Sequence, residues 1–149
     1  MKMTNNKLDV SKEIEVVQIS IYCEIVKNLL VRYRSISIVK VVAFSFAIKK
    51  ITYLQSGCYT ARNRSDLVLK YLSQISGYYD EMCRQMPYIL QSIDLLIRTS
   101  VCELHETELL CKYPADYNVE DYGPFTVAAI QESNDYTDRQ FWKEVISIV

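Results

Sequence analysis

Glycine and proline are both scarce in this 149-residue chain, with three of each. A turn-rich β-sandwich or β-barrel would need many more of these residues at its turns. Dinucleotide-binding and P-loop proteins need closely spaced glycines to hold phosphate, and no such spacing occurs here. Hydrophobic residues make up 50% of the sequence and charged residues 23%, as is typical of a chain with a folded core. The composition therefore predicts a compact, mainly α-helical single domain over residues 1–149.

Long apolar runs are also missing from the sequence. The most apolar stretch, residues 41–48, lies between Lys40 and Lys49 and is far shorter than the roughly 18 residues of a membrane-spanning helix. The polar N-terminus does not lead into the uninterrupted apolar segment of a secretory signal. We therefore expect a cytoplasmic protein with no membrane partner.

Histidine occurs once, and the five cysteines include no C-x-x-C pair. His105 lies near Cys102 and Cys111, and thiolates and imidazole are zinc ligands, but a fourth ligand would have to be Cys83 or Glu106 at an unusual spacing. His105 also has glutamate neighbours that suggest an acid–base pair, yet no nucleophile with a recognisable elbow sequence accompanies it. We therefore predict no catalytic residues, no metal and no cofactor, and we expect the cysteines to act as small buried hydrophobes.

Apolar residues at three- and four-residue spacing predict helices through most of the chain. The predicted helices cover residues 12–34, 38–51, 65–75, 78–85, 87–99, 125–132 and 138–148. In the first of these, the β-branched residues around Ile19 and Ile21 leave a strand as the alternative. Residues 1–11 are predicted to be a flexible N-terminus, and residues 114–124 a linker to a C-terminal helical pair.

Three local signals refine these boundaries. Pro87 suits the first turn of a helix, and Gly77 suits the end of one. Thr137 and Gln140 form a T-x-x-Q capping box before the last helix. Residues 101–113 are predicted to form a small β-hairpin around His105. A helix followed by such a ribbon is the order of the last two elements of a winged helix, so the fold is either winged-helix-like or carries an irregular ribbon there.

The net charge of −1 hides an uneven distribution along the chain. Residues 32–84 carry nine basic and three acidic side chains, whereas residues 85–149 carry four basic and eleven acidic ones. One interpretation is that the two stretches attract each other within the fold. The other is that basic side chains gather around residues 55–64 and bind nucleic acid or an acidic partner. The predicted basic patch consists of Arg32, Arg34, Lys40, Lys49, Lys50, Arg62 and Arg64.

The helix within residues 36–54 is apolar on more than one side because it contains Phe44 and Phe46. Such a helix is either central to the core or covered by another subunit. Tyr53 and Tyr59 lie between the basic residues and could stack on bases, although 12 tyrosines in the chain weaken that signal. These two phenylalanines and two tyrosines are the predicted partner interface.

Three stretches carry a family resemblance: SISIVKVVAFSFAIKK (35–50), PYILQSIDLLIR (87–98) and FWKEVI (141–146). In helix order and apolar pattern, they resemble the small middle component of bacterial three-component ABC-ATPase systems, a group that includes Lamassu-type antiphage defence. The similarity covers most of the chain from about residue 14. It implies a winged-helix-like or kleisin-like adaptor on an SMC-like ATPase with a coiled coil, coupling DNA sensing to an effector that is often a nuclease. No catalytic residue is carried over.

We therefore expect a non-enzymatic adaptor subunit whose partners are an SMC-like ABC ATPase and an effector nuclease. Double-stranded DNA is a further candidate partner. The alternative is a free-standing winged-helix DNA-binding transcriptional regulator. A regulator would purify alone as a soluble dimer and bind a specific duplex, whereas a subunit would co-purify with a large ATPase.

Overall fold

Helices account for most of the structure because apolar residues recur at helical spacing in most segments. The computed structural model describes the backbone of residues 2–54, 66–114 and 122–149, and the side chains of residues 10–52, 66–114 and 122–149. Its helices are α1 (Lys2–Tyr33), α2 (Ile38–Leu54), α3 (Leu67–Ser73), α4 (Tyr79–Arg98), α5 (Pro124–Ser133) and α6 (Asp138–Ile148). Its strands are β1 (Ser35–Ser37), β2 (Cys102–His105) and β3 (Glu108–Cys111). The prediction of a mainly helical single domain is confirmed, and a three-stranded antiparallel sheet accompanies the helices.

Helix α1 is 32 residues long, and only its C-terminal part packs into the body of the protein, against α2 and α4. Tyr22, Val26 and Leu29 form its buried side. Residues 10–17, in contrast, are exposed at every position around the helix. The helix begins earlier than residue 12, where the apolar periodicity predicted it, and the alternative of a strand in its first half is wrong.

Helix α2 is the central helix of the core, because residues 41–48 are buried without interruption. The Phe44 ring lies 5.7 Å from the Tyr71 ring of α3 and 5.4 Å from the Phe141 ring of α6. Phe44 and Phe46, predicted as partner-interface residues, are buried at 0% and 2% exposure, so their rings contribute almost nothing to the surface of this chain. Neighbouring helices of the same chain cover the apolar sides of α2.

Helix α4 is continuous from Tyr79 to Arg98, although the sequence predicted two helices with Pro87 opening the second. Its buried side includes Met82, Ile89 and Ile93, which keep helical spacing through the proline. Pro87 itself is exposed, so the backbone hydrogen bond that proline cannot donate is missing at the surface of the helix and not in the core. Packing of the apolar stripe therefore outweighs the local preference of proline to begin a helix.

The predicted hairpin is confirmed as β2 and β3, joined by a two-residue turn, with Leu104 opposite Leu109. The sequence did not predict β1, whose three residues are too few to produce a pattern. Strand β1 pairs with β3 and places Ile36 opposite Leu109, so that the strand order is β1-β3-β2. Arg34 adopts a positive φ of 68° and turns the chain from α1 into β1.

The C-terminal pair, α5 and α6, matches the prediction closely. The Gln140 N–H donates to Thr137 Oγ1 at 3.2 Å, and the Thr137 N–H donates to Gln140 Oε1 at 3.0 Å, which confirms the capping box. Gly77 has a positive φ of 88°, and its N–H donates to the Val149 carbonyl at 3.1 Å, so it joins the end of the α3 region to the C-terminus. Most of the predicted linker at 114–124 lies outside the described residues. Within the described ranges, no helix is both long and apolar enough to cross a membrane.

Candidate functional site

The described residues of the predicted basic patch lie apart from one another. Arg32 and Arg34 lie at the C-terminal end of α1 and are exposed. Lys49 and Lys50 lie near the C-terminal end of α2. They are about 17 Å along the helix from its first residue, because each helical residue adds about 1.5 Å. Lys40 is only 8% exposed, and its Nζ donates to the Tyr136 carbonyl at 2.9 Å, so Lys40 is not part of a surface patch.

Four further candidates cannot be placed relative to these residues. Arg62, Arg64 and Tyr59 lie outside the described residues, as does the side chain of Tyr53. The described part of the predicted patch therefore reduces to two exposed arginines at one end and two lysines at the other.

The two lysines line a cavity of about 340 Å³ between α1, α2 and α4, which we call the lysine pocket. Its residues are Gln18, Tyr22, Phe46, Lys49, Lys50, Glu81 and Gln85. The Lys50 ammonium pairs with Glu81 Oε2 at 2.8 Å and lies 4.3 Å from the centre of the Tyr78 ring. Glu81 and Lys50 thus neutralise each other at one side of the pocket.

Lys49 has different surroundings. Its Nζ donates to the amide oxygens of Gln18 and Gln85, the latter at 3.0 Å, and lies 4.8 Å from the centre of the Tyr22 ring. The Tyr22 hydroxyl also donates to Gln85 Oε1, at 2.9 Å. Loss of water around Lys49 lowers its pKa, an effect that Lys50 reinforces and Glu81 opposes. Lys49 is therefore a partly desolvated cation whose hydrogen-bond partners are neutral.

This arrangement favours a small anionic group. Two ammonium groups and one carboxylate line the pocket, leaving one positive charge without an opposite charge among its lining residues. Because the amide oxygens of Gln18 and Gln85 face Lys49, their amide nitrogens retain N–H donors for another acceptor. A carboxylate or a phosphate entering the pocket would supply both the missing charge and that acceptor.

An apolar surface on α1 adjoins the lysine pocket. Val10, Ile14, Val17 and Ile21 follow one another at spacings of four, three and four residues, and we call them the α1 stripe. Val10, Ile14 and Val17 are 54–56% exposed, and Ile21 packs at the edge of the core. Gln18 lines both the lysine pocket and the groove on the first three residues of the stripe, so the two surfaces are continuous.

The only histidine lies on the hairpin, away from this site. His105 Nε2 is 2.8 Å from Glu103 Oε1, and both side chains are exposed. Hydrogen bonds from His105 and Lys112 lower the pKa of Glu103. Cys102 is three residues along the strand from His105, and the described residues contain no group of three potential metal ligands. The pair has the geometry of a surface ion pair.

Comparisons with protein-family models, with curated proteins and with solved structures give no match to this chain.

Sequence reasoning found Lys49 and Lys50 but missed the other polar residues of the pocket. Glu81, Gln18, Tyr22 and Gln85 are not among the residues that the sequence singles out. These four residues come from α1 and α4, which meet the lysines of α2 only in the folded chain. The one signal that pointed to them was the pair of adjacent lysines at the end of an apolar helix, which requires a counter-charge nearby.

Proposed function

We propose that this chain is a non-enzymatic adaptor subunit of a bacterial antiphage defence complex, in which it binds an SMC-like ABC ATPase and helps couple DNA sensing to an effector nuclease. The observation that carries this proposal is the segment of α1 over residues 10–17, where every side chain is exposed, including Val10, Ile14 and Val17 of the α1 stripe.

Exposed apolar residues at this density are unusual on a protein that acts alone. Residues 10–17 contain four apolar side chains, including Val16, and each is more than half exposed. Burying such a side chain contributes roughly 1.5–3 kcal/mol. A helix that leaves these groups in water gains stability when a partner covers them, which favours a role in assembly.

The spacing of the α1 stripe favours a helical partner. Apolar residues at alternating intervals of four and three form the contact line of two-stranded coiled coils. The SMC-like ATPases implied by the family resemblance carry long coiled coils, whose apolar seams have the same spacing. A helix from such a partner would lie along Val10, Ile14 and Val17 and end beside the body of this protein.

The lysine pocket adds a charge requirement to this docking. Because Gln18 borders both surfaces, a helix packed on the stripe would bring its next turn over the pocket. A glutamate or aspartate at that turn would meet Lys49 and the free amide N–H groups of the two glutamines. The partner helix should therefore combine an apolar seam with an acidic side chain.

Affinity purification from the native host tests this proposal. The tagged chain should capture a protein with a P-loop motif and a long predicted coiled coil, identified by mass spectrometry. Ile14→Glu should reduce the captured amount at least about tenfold, since it places a charge in an apolar contact. Lys49→Gln should weaken capture less, because it removes the charge but retains a polar side chain.

Val16→Glu is the matched control, because Val16 is as exposed as Ile14 but lies off the stripe on the same helix. It should leave capture unchanged. If Ile14→Glu and Val16→Glu retain the ATPase equally well, the stripe is not the docking surface. If no ATPase with a coiled coil co-purifies with the wild-type chain, the adaptor proposal is wrong.

The second candidate is a free-standing winged-helix regulator, and the order of elements favours it: α4 precedes the β2–β3 hairpin, and β1 completes the sheet. The charge of the hairpin weighs against DNA contact there. Three glutamates, Glu103, Glu106 and Glu108, lie in or near the hairpin turn, whereas the ribbon has one lysine, Lys112. Carboxylates at the tip repel phosphate, so we rank this function second.

A further inference from the structure

Two cysteines lie directly opposite each other in the sheet. The register of β2 and β3 pairs Cys102 with Cys111, and both are free thiols. Because directly opposite residues of antiparallel strands have side chains on the same face of the sheet, the two thiols are neighbours.

The hydrogen bonds on either side of this pair define its type. The Lys112 N–H donates to the Val101 carbonyl at 2.8 Å, whereas the Cys111 N–H donates away from β2, to the Arg34 carbonyl at 2.8 Å. Cys102 and Cys111 therefore form a non-hydrogen-bonded pair, for which the Cα atoms are about 4.5 Å apart. That separation lies within the range of disulfides, about 4.4–6.8 Å.

The two thiols differ in access to solvent. Cys102 is 1% exposed, and burial, together with the neighbouring Cys111, raises its pKa to about 11. Cys111 is half-buried, at the point where β3 leaves the sheet, and its Sγ makes a weak hydrogen bond to the Tyr113 carbonyl at 3.9 Å. A small oxidant in solution therefore reaches Cys111 first, and Cys102 is the thiol behind it.

We propose that Cys102 and Cys111 are a reversible modification site, which closes to a disulfide by exchange with a low-molecular-weight disulfide. Cys111 gives its proton to solvent, and its sulfur attacks one sulfur of the small disulfide, forming a mixed disulfide and releasing one small thiol. Cys102 then gives up its proton, and its sulfur attacks the Cys111 sulfur and displaces the second small thiol. The protein loses two electrons and two protons, and the small disulfide is reduced to two thiols.

The other described cysteines lack this arrangement. Cys23 lies between α1 and α4, where its Sγ contacts the Ser92 carbonyl at 3.8 Å and burial raises its pKa. Cys83 is exposed and lies in helix α4, so no described cysteine faces it across a sheet. Exchange at Cys83 should therefore stop at the mixed disulfide. The inference concerns the hairpin alone and does not depend on the proposed adaptor function.

Incubating the folded chain with oxidised glutathione, alkylating it and mapping its peptides by mass spectrometry tests the proposal. The expected product carries a peptide linked through Cys102 and Cys111, neither of which is alkylated, and glutathione on Cys83. Cys102→Ser should accumulate glutathione on Cys111, because the second step is removed. Cys111→Ser should leave Cys102 unmodified, because the accessible thiol is gone.

Cys83→Ser is the control and should form the same linked peptide as the wild type. If a hairpin variant fails to fold, as judged by circular dichroism, the peptide map of the wild-type chain alone tests the proposal. Two results would overturn the proposal. In one, Cys83 takes up glutathione while Cys102 and Cys111 both remain free. In the other, either hairpin cysteine is linked to Cys58 instead of to its cross-strand neighbour.

Discussion

Helix α2 buries two polar residues, Lys40 and Ser45, and their surroundings differ. Lys40 extends from the core to the Tyr136 carbonyl, so its ammonium has an acceptor and links α2 to the segment between α5 and α6. Ser45 is fully buried, and within the described structure its hydroxyl has no hydrogen-bond partner. An unsatisfied buried hydroxyl opposes folding, because it gave up hydrogen bonds to water.

Ser45→Ala should therefore stabilise the protein. We expect the free energy of unfolding to rise by about 1 kcal/mol, since the substitution removes the desolvated hydroxyl and favours the helix. Urea denaturation followed by circular dichroism measures the change. Ser92→Ala is the matched control: Ser92 is equally buried in α4, but its hydroxyl donates to the Ile89 carbonyl at 2.6 Å. The control should not raise the free energy of unfolding by a comparable amount. Equal increases in both variants would mean that the effect comes from the higher helix propensity of alanine alone.

At the scale of elements, α4 is where local and tertiary preferences conflict. Pro87 is a helix-opening signal, yet it lies inside a helix whose buried residues continue on both sides of it. The proline has no N–H to donate to the carbonyl of Cys83, one turn earlier. The helix persists because α4 packs against α1 and α2 along its whole buried side.

Pro87→Ala should raise the free energy of unfolding by about 1–3 kcal/mol, because alanine restores the missing helical hydrogen bond. Thermal unfolding provides the measurement. Pro124→Ala is the matched control, since Pro124 opens α5, where proline is favourable and its missing N–H would be unpaired in any case. A loss of stability in Pro87→Ala would instead support two separate helices meeting at Pro87.

At the scale of the whole molecule, the described basic residues of stretch 32–84 do not gather on one face, since Arg32 and Arg34 lie before α2 and Lys49 and Lys50 lie near its C-terminal end. The ion pairs Lys50–Glu81, Arg98–Asp94 and Lys112–Glu103 each join residues of the same stretch, basic or acidic. Lys40, Lys49 and Lys50 all have acceptors within the protein. Contact with a polyanion therefore stays a prediction for the four arginines of the predicted patch, of which Arg32 and Arg34 are described and exposed, whereas Lys49 lines the lysine pocket.

Binding of this patch to duplex DNA should therefore be weak and only moderately dependent on salt. Each neutralised phosphate contributes about −0.9 to the slope of log K against log salt concentration, so four arginines give a slope no steeper than about −4. Fluorescence anisotropy between 50 and 200 mM NaCl, a range of about fourfold, measures it. Arg62→Glu with Arg64→Glu should weaken binding, whereas Lys40→Gln should not. An unchanged affinity in the double variant would exclude those two arginines from the contact.

Much of the fold could be predicted from local pattern. The range of α6, its capping box and the hairpin around His105 all follow from residues close together in sequence, whose interactions are local. Strand β1 could not be predicted, because Ile36 becomes a strand residue only when Leu109 arrives beside it from a distant part of the chain. The lysine pocket could not be predicted for the same reason, since Gln18, Lys49 and Gln85 come from different helices.

The sequence by itself determined the class of the fold, because helical periodicity and few turn residues act within each segment. Only the tertiary structure decided which apolar groups are buried and which remain exposed. It covered Phe44 with α3 and α6, it buried Phe46, and it left Val10, Ile14 and Val17 of α1 exposed to water. Burial depends on which elements meet across the fold, and hydrophobicity along the chain does not contain that information. For this reason, the docking surface that we propose is the α1 stripe and not the most apolar helix, which is buried.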